Sequence, residues 1–301
     1  MIHGFIVVDK PAGITSHDVV SRVRRIMGTR SVGHTGTLDP FATGVLPVAV
    51  NDATKLIPYL DEGTKGYQAL MRLGVTTDTL DMTGTVLGQS DPGSVTVDAL
   101  LNCFSRCTGT VEQIPPMYSA IKIAGQPLYK LARKGENIER QPRQIEIHTL
   151  ELISCELPLV AFSLSCSRGT YVRSLADDIG TMLGCGAALQ ELRRTFSGPF
   201  RQEQSVTLEQ LEAAAANGTL AQVMISPSAA ISHLPTGELD SAAVDRIRHG
   251  QALSVQHLLN QDAVCEGLMQ LQYHGDLVSV AEAVRLDSGA FRIQPKRVFV
   301  A

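Results

Sequence analysis

The chain has 301 residues, 44% of them apolar, enough to bury a sizeable core in one large domain or two ordinary ones. Its formal net charge is −4, which excludes a protein that binds nucleic acid over its whole surface and leaves room only for a local basic patch. Aromatic residues make up 5% and Trp is absent, which speaks against an exposed base-stacking platform.

Taken in chain order, Gly4 to Val8 reads as a short apolar strand that ends at Asp9-Lys10-Pro11-Ala12-Gly13. Ser16 is placed to cap a helix with Val19, Val20, Val23, Ile26 and Met27 on one face, and Gly28 stops it. Arg22, Arg24, Arg25 and Arg30 fall off that face and serve equally as helix solvation or as RNA contacts. The stretch Gly33 to Ala49 is dense in special residues. His34, Thr35, Thr37 and Asp39 lie among glycines, and an apolar run from Val45 to Val50 follows. Pro40 biases Asp39 towards an extended or turn backbone. The local reading is a loop that holds one carboxylate at a fixed angle above a buried element. Thr35-Gly36-Thr37 also resembles the motif of aspartyl-phosphate enzymes, but the position of their nucleophile is Gly33 here.

Thr64 to Gly74 reads as a strand. Thr76 to Asp81 with Gly84 is a polar turn whose acids, Asp78 and Asp81, are expected to face solvent. Val97 to Phe104 reads as a helix, and two prolines break the segment Gln113 to Lys122. From Lys122 to Arg143 six basic residues (Lys122, Lys130, Arg133, Lys134, Arg140, Arg143) face two acidic ones (Glu136, Glu139), a local balance of +4 in an acidic chain. That contrast favours a loop that contacts phosphates. Gln144 to Leu152 and Leu159 to Ser167 alternate as strands, and Thr170 is expected to cap a helix running to Leu183. Arg173 would then sit in the first turn, where a cation opposes the helix dipole, so it needs a specific acidic partner. Glu209 to Ala216 reads as a helix. Composition changes near Leu234-Pro235-Thr236-Gly237, and the tail holds a short helix, Ala242 to Arg248, and three β-rich pieces. The six cysteines form no Cys-x-x-Cys and no zinc spacing, and read as reduced packing residues. No run reaches membrane-helix length, and the first residues lack a charged and then long apolar leader, so a cytoplasmic protein is expected.

Gly33-His-Thr-Gly-Thr-Leu-Asp-Pro40 followed by Ala42-Thr-Gly-Val-Leu46 resembles the signature of the TruB-type tRNA pseudouridine synthases. Arg168-Gly-Thr-Tyr-Val-Arg173 is a second match and Leu192-Arg193-Arg194 a third, although the His that commonly precedes the last one is replaced here by Ala187 or Ala188. Asp9-Lys10-Pro11-x-Gly13 supports the wider superfamily. The resemblance implies an α+β fold around a mostly antiparallel sheet at 1–236, with an RNA-clasping insertion at about 115–143, and a small PUA-like β-barrel at 237–301. It implies isomerisation of uridine to pseudouridine at position 55 in the T loop of tRNA, without metal or other cofactor. The catalytic residues implied are Asp39, Arg173 and Tyr67, with His34, Tyr67, Tyr171 and Leu192 binding substrate. The partner expected is the T arm of tRNA, with no membrane and no protein partner, and the protein acts as a monomer. A catalytically idle RNA-binding module would not require Asp39. An RNA-guided relative working in a multi-protein particle is disfavoured by the long basic insertion.

Overall fold

The computed structural model describes residues 3–299 except Ala120, Ala124, Arg133 and Asn137, so Arg133, expected among the RNA contacts, lies outside the described residues. In chain order the first half comprises β1 (Gly4–Lys10), α1 (Ser16–Met27), β2 (Val32–His34), β3 (Thr43–Val50), β4 (Thr64–Leu73), β5 (Val75–Thr77), β6 (Val86–Gln89), α2 (Val97–Cys107) and β7 (Gly109–Gln113). The basic insertion contributes β8 (Lys122–Ile123), β9 (Gln126–Pro127) and α3 (Leu128–Ala132). Next come β10 (Arg143–Glu156), β11 (Leu159–Ser167), α4 (Val172–Met182), β12 (Ala187–Ser197), β13 (Phe200–Arg201), α5 (Leu208–Ala216) and α6 (Pro227–Ala230). The tail adds β14 (Thr236–Glu238), α7 (Ser241–Arg248), β15 (Leu253–Ser254), β16 (Gly267–Tyr273), β17 (Asp276–Arg285) and β18 (Phe291–Val298).

The large sheet runs β1-β3-β12-β4-β11-β10-β7, with β2 beside β3 and β13 beside β12. Within it β12 and β3 are parallel and the other pairs antiparallel, so the sheet is mostly antiparallel. Apolar residues occupy both faces of β1 and β3, and the alternation sorts them. Ile6, Val8, Leu46 and Val48 join the core under α1 and α4, whereas Phe5, Val7, Val45 and Ala49 join a second core on the opposite face. That second core also takes in Phe200, Ala230 and Ile231, together with Val280 and Phe299 of the tail. The tail sheet, β14-β16-β17-β18-β15, therefore packs against the face away from the helices. After β15 the chain returns to β14 through a Leu239–Leu258 bridge and a Leu259 N–H to Glu238 carbonyl bond of 2.8 Å, which curls the sheet towards the PUA-like barrel.

Two helix caps differ from expectation. Thr15, not Ser16, caps α1, in a reciprocal pair with Asp18, and Ser16 turns inward to another task. The N-cap of α4 is Tyr171, with no side-chain cap bond. The turn after β5 also differs: Asp78 is exposed, but Asp81 is only 4% exposed.

Gly44, second in β3, stands at φ +96, and a Cβ there would run into the Arg194 carbonyl oxygen. A side chain can neither adopt that backbone cheaply nor displace the parallel β3–β12 contact. Gly44→Ala is expected to cost about 2–4 kcal/mol of stability in urea unfolding, and an unchanged midpoint would refute this packing account.

Candidate active site

The loop between β2 and β3 carries Asp39, and its carbonyls at Gly36, Thr37, Leu38, Pro40 and Ala42 are held from outside. Arg194 of β12 sends Nη2 to the Gly36 carbonyl at 3.0 Å, Nη1 to the Thr37 carbonyl at 3.4 Å and Nε to the Val45 carbonyl at 2.7 Å. Ser16 Oγ accepts from the Leu38 N–H at 2.9 Å and donates to its carbonyl at 3.2 Å. Lys10 Nζ donates to the carbonyls of Pro40 and Ala42 at 3.1 and 2.6 Å, and the Gly13 N–H donates to Pro40 at 2.8 Å. A short acidic loop thus becomes a rigid mount.

The carboxylate itself meets Arg173 in the first turn of α4. Nε donates to Oδ2 at 2.9 Å and Nη2 to Oδ1 at 3.1 Å, a two-point pair between residues 134 apart in sequence. The Arg173 side chain is 3% exposed and that of Asp39 is 33% exposed, so the cation is buried while its partner stays partly accessible. Arg173 also donates to the Thr79 carbonyl at 2.8 Å and the Tyr118 carbonyl at 2.9 Å. Asp81 Oδ2 lies 3.7 Å from Arg173 Nη1. Asp81 is held in place by the Thr79 hydroxyl, the Thr83 N–H and the Thr83 hydroxyl. Leu80 stands at φ 63, an uncommon conformation for a branched side chain, in the turn that directs Asp81 inward.

Tyr67 on β4 is buried and stands opposite Arg194, just as Ala69 stands opposite Leu192. Residues two apart share a sheet face, so Tyr67, Leu192 and Arg194 all lie on the face that carries the Asp39 loop. Leu192 is packed into the core. His34 ends β2 with Nδ1 buried, and Tyr171 immediately precedes Arg173's helix.

The family model described as the TruB family pseudouridylate synthase N-terminal domain matches residues 24–172, and the tRNA pseudouridylate synthase B C-terminal domain matches 173–231. A tRNA pseudouridine synthase B of Geotalea uraniireducens is 51% identical over 288 residues, covering 93% of this chain and 91% of that protein. The chain belongs to the TruB family. One from Pseudomonas aeruginosa is 42% identical over 303 residues, 99% of this chain and 96% of its own. Among solved structures, an H/ACA RNP bound to a substrate RNA containing 2′-deoxyuridine is similar at TM-score 0.75 and 28% identity. That likeness covers 99% of this chain and 85% of the other. A Cbf5-Nop10-Gar1 complex is similar at 0.75 and 30%, with the same coverage.

In this TruB family member, burial pushes the Asp39 carboxyl above its usual value. Arg173 is the strongest opposing influence, Asp81 reinforces the rise and Lys10 opposes it. Burial lowers the Lys10 ammonium to about 8 against the pull of Asp39, and lowers Lys65 to about 8 with help from Arg194. Burial, then the Arg194 charge, lowers His34, which favours the neutral imidazole. Tyr67 and Tyr171 are both raised, by burial first, and so are held as neutral phenols.

Of the basic insertion, Lys130, Lys134 and Arg143 are exposed, and Lys122 lies in β8. Arg140 is half-buried and spends one N–H on the Pro115 carbonyl at 3.2 Å. Ser16, Lys10, Asp81 and Arg194 carry the loop or the arginine without having been singled out for it in sequence. For Arg194 a signal was present: on a strand, its two-residue spacing from apolar Leu192 turns it inward. Arg194 is 1% exposed and makes three bonds to carbonyls. Arg194→Met should therefore leave acceptors unpaired at a cost of about 3 kcal/mol. Chemical denaturation checks this, and a loss below about 1 kcal/mol would show that the loop does not depend on this anchor.

Proposed function

We propose that this isomerase of the TruB family converts uridine 55 in the T loop of tRNA to pseudouridine, with Asp39 as the acting carboxylate. The observation that carries the reading is the two-point Arg173–Asp39 pair on an anchored loop, with the Asp39 side chain still partly exposed. The reaction breaks the bond from ribose C1′ to uracil N1, turns the base and joins C1′ to C5. The C5 proton is lost and N1 regains one, so atoms balance with no oxidant, reductant or water consumed.

The substrate uridine must leave its stack to reach a site mounted inside the fold. In this reading Tyr67 lies beneath the uracil ring, Tyr171 borders it and Leu192 forms apolar floor. Neutral His34, at the end of β2 where the Asp39 loop begins, is read as taking up hydrogen bonds from the displaced nucleotide's surroundings. Asp39 acts as the anion, and Arg173 both orients it and keeps it ionised despite burial. A neutral phenol at Tyr67 is not itself a base, so it can carry the C5 proton only as a relay, taking it up as its own hydroxyl proton passes to a second acceptor.

The tail sheet from Thr236 onward is read as the second RNA-binding unit, and the insertion as the clasp on the T arm. The active species is read as a monomer that needs no protein partner. Among the described residues no helix is long and apolar enough to cross a membrane.

Asp39→Asn should abolish turnover while tRNA affinity stays within about threefold, because only the anion is lost. Position 55 of unmodified tRNA, mapped by mass spectrometry, is the readout. Product at another position, or turnover by the variant, would overturn the site assignment.

Because Asp39 acts ionised and its pKa is raised, the single-turnover rate should fall on acidification through a pH above that of a free aspartate, about 3.9. Arg173→Lys removes the planar pairing, so it should slow the reaction and move that acid limb higher still. A limb in the same place in both proteins would end the pairing proposal.

Lys130 and Lys134 are exposed on the insertion. Changing both to Gln should weaken binding and flatten the log affinity against log salt plot by about 1.4–1.8. An unaltered slope would make that face merely solvated.

A further inference from the structure

The insertion leaves and re-enters the large sheet at one rung: Gln113, the last residue of β7, pairs with Arg143, the first of β10. Gln113 is a long polar side chain at the end of an edge strand, yet it is only 4% exposed. Both ends of its amide are spent on one backbone unit. Oε1 accepts the Tyr171 N–H at 2.8 Å, and Nε2 donates to the Tyr171 carbonyl at 3.0 Å. That carbonyl also accepts the helical N–H of Leu175 at 3.1 Å.

Tyr171 is the N-cap of α4 and has no side-chain capping bond of its own. In its absence, the external amide fixes where the helix begins. Two residues on, Arg173 leaves that helix for Asp39. The insertion's first residues add two more ties to the same turn. The Ile114 carbonyl accepts the Ser174 hydroxyl at 3.3 Å, and the Tyr118 carbonyl accepts Arg173 Nη2 at 2.9 Å. The root of the RNA-facing insertion and the start of α4 thus form one hydrogen-bonded block, with Gln113 supplying its paired contact.

We infer that Gln113 is a positioning residue: if Asp39 and Arg173 are the reacting pair, as proposed above, its amide sets the start of α4 and so the angle at which Arg173 meets Asp39. It touches neither the carboxylate nor the base. Its effect is geometric, and small displacements of a reacting group are costly, about 100-fold for roughly 1 Å. The insertion that grips RNA and the helix that carries Arg173 meet at this side chain, so RNA engagement bears directly on the pair.

Gln113→Leu keeps the size and removes both bonds. Its single-turnover rate at saturating tRNA should fall about 10- to 100-fold, with tRNA affinity close to that of the unmodified protein and a stability loss of about 1–3 kcal/mol that leaves it folded under assay conditions. The acid limb should move to higher pH, because a loosened Arg173 no longer opposes the effect of burial on Asp39. Gln113→Glu is the second variant. Its carboxylate can accept from the Tyr171 N–H but repels the Tyr171 carbonyl, whereas its protonated form can serve both. The rate of Gln113→Glu relative to the unmodified protein should therefore rise as pH falls from about 8 to about 5. The inference is overturned by a Gln113→Leu protein with unchanged rate and acid limb. It is equally overturned by a rate loss matched by lost tRNA affinity, or by one with the acid limb unmoved, which would make Gln113 only structural. Asp39→Asn run alongside separates the two levels. If it turns over, the reading of the site fails. If it is dead while Gln113→Leu runs at full speed, only the inference about Gln113 fails.

Discussion

A guanidinium buried to 3% exposure must find an acceptor for each N–H, because an unpaired charged donor inside a protein is costly. Arg173 meets most of that demand with four bonds from three directions: the Asp39 carboxylate, the Thr79 carbonyl beside Asp81, and the Tyr118 carbonyl at the insertion's root. Each acceptor comes from a segment distant in sequence, and α4 supplies the cation. Satisfying one side chain therefore fixes the relative placement of the Asp39 loop, the β5–β6 turn, the insertion and the helix. Asp81 adds a second, more remote negative charge at 3.7 Å, which balances the cation without competing for the two-point geometry that Asp39 occupies.

Arg194 solves a similar problem differently. It is as deeply buried, but its three bonds go to carbonyls. Carbonyl dipoles stabilise the cation without neutralising it, so positive potential persists beneath the Asp39 loop. The consequences appear in the neighbours: His34 and Lys65 are both lowered with Arg194 contributing. Arg193, one residue earlier on the other face, pairs instead with Asp9 of β1 at 2.8 and 3.1 Å. Adjacent arginines on one strand thus serve opposite faces, one mounting the loop and the other fastening β12 to the end of β1.

The tail uses the remaining face. Phe5 and Phe200 rings sit 5.3 Å apart in a core shared with Val280 and Phe299, and β1 also bonds through Phe5 to Ile225 in both directions. Apolar contact therefore joins the tail sheet to the large sheet on the side away from α1 and α4. The other face is left to the Asp39 loop and the residues that hold it. A strand buried on both faces, as β1 is, reads as a continuous apolar run, which is why Gly4 to Val8 was legible in the sequence.

Much of the architecture was legible because local chemistry decides it. Period-two alternation marked β10 and β11, the Val19–Val23–Ile26 stripe marked α1, and Gly28 marked its end in the left-handed region. The Gly-rich run, the Asp39-Pro40 step and the awkward placement of Arg173 in a first turn could likewise be read along the chain, including the need for an acidic partner. Which acid that would be, Asp39 across 134 residues, was implied by family resemblance and decided only by folding. The caps were misplaced because Thr15 and Ser16 are equally able to cap. The choice fell to tertiary contact, since Ser16 was needed at Leu38. Asp81 looked like a solvated turn acid because nothing local reveals that the turn docks on β12 through Leu189. Gln113 was read only as the start of a segment broken by two prolines, for the same reason. The sequence by itself determined the elements, the acidic loop and the basic insertion, since propensity, periodicity and charge are properties of neighbours in the chain. Only the tertiary structure decided which buried polar groups answer each other, since a hydrogen bond depends on distance in space.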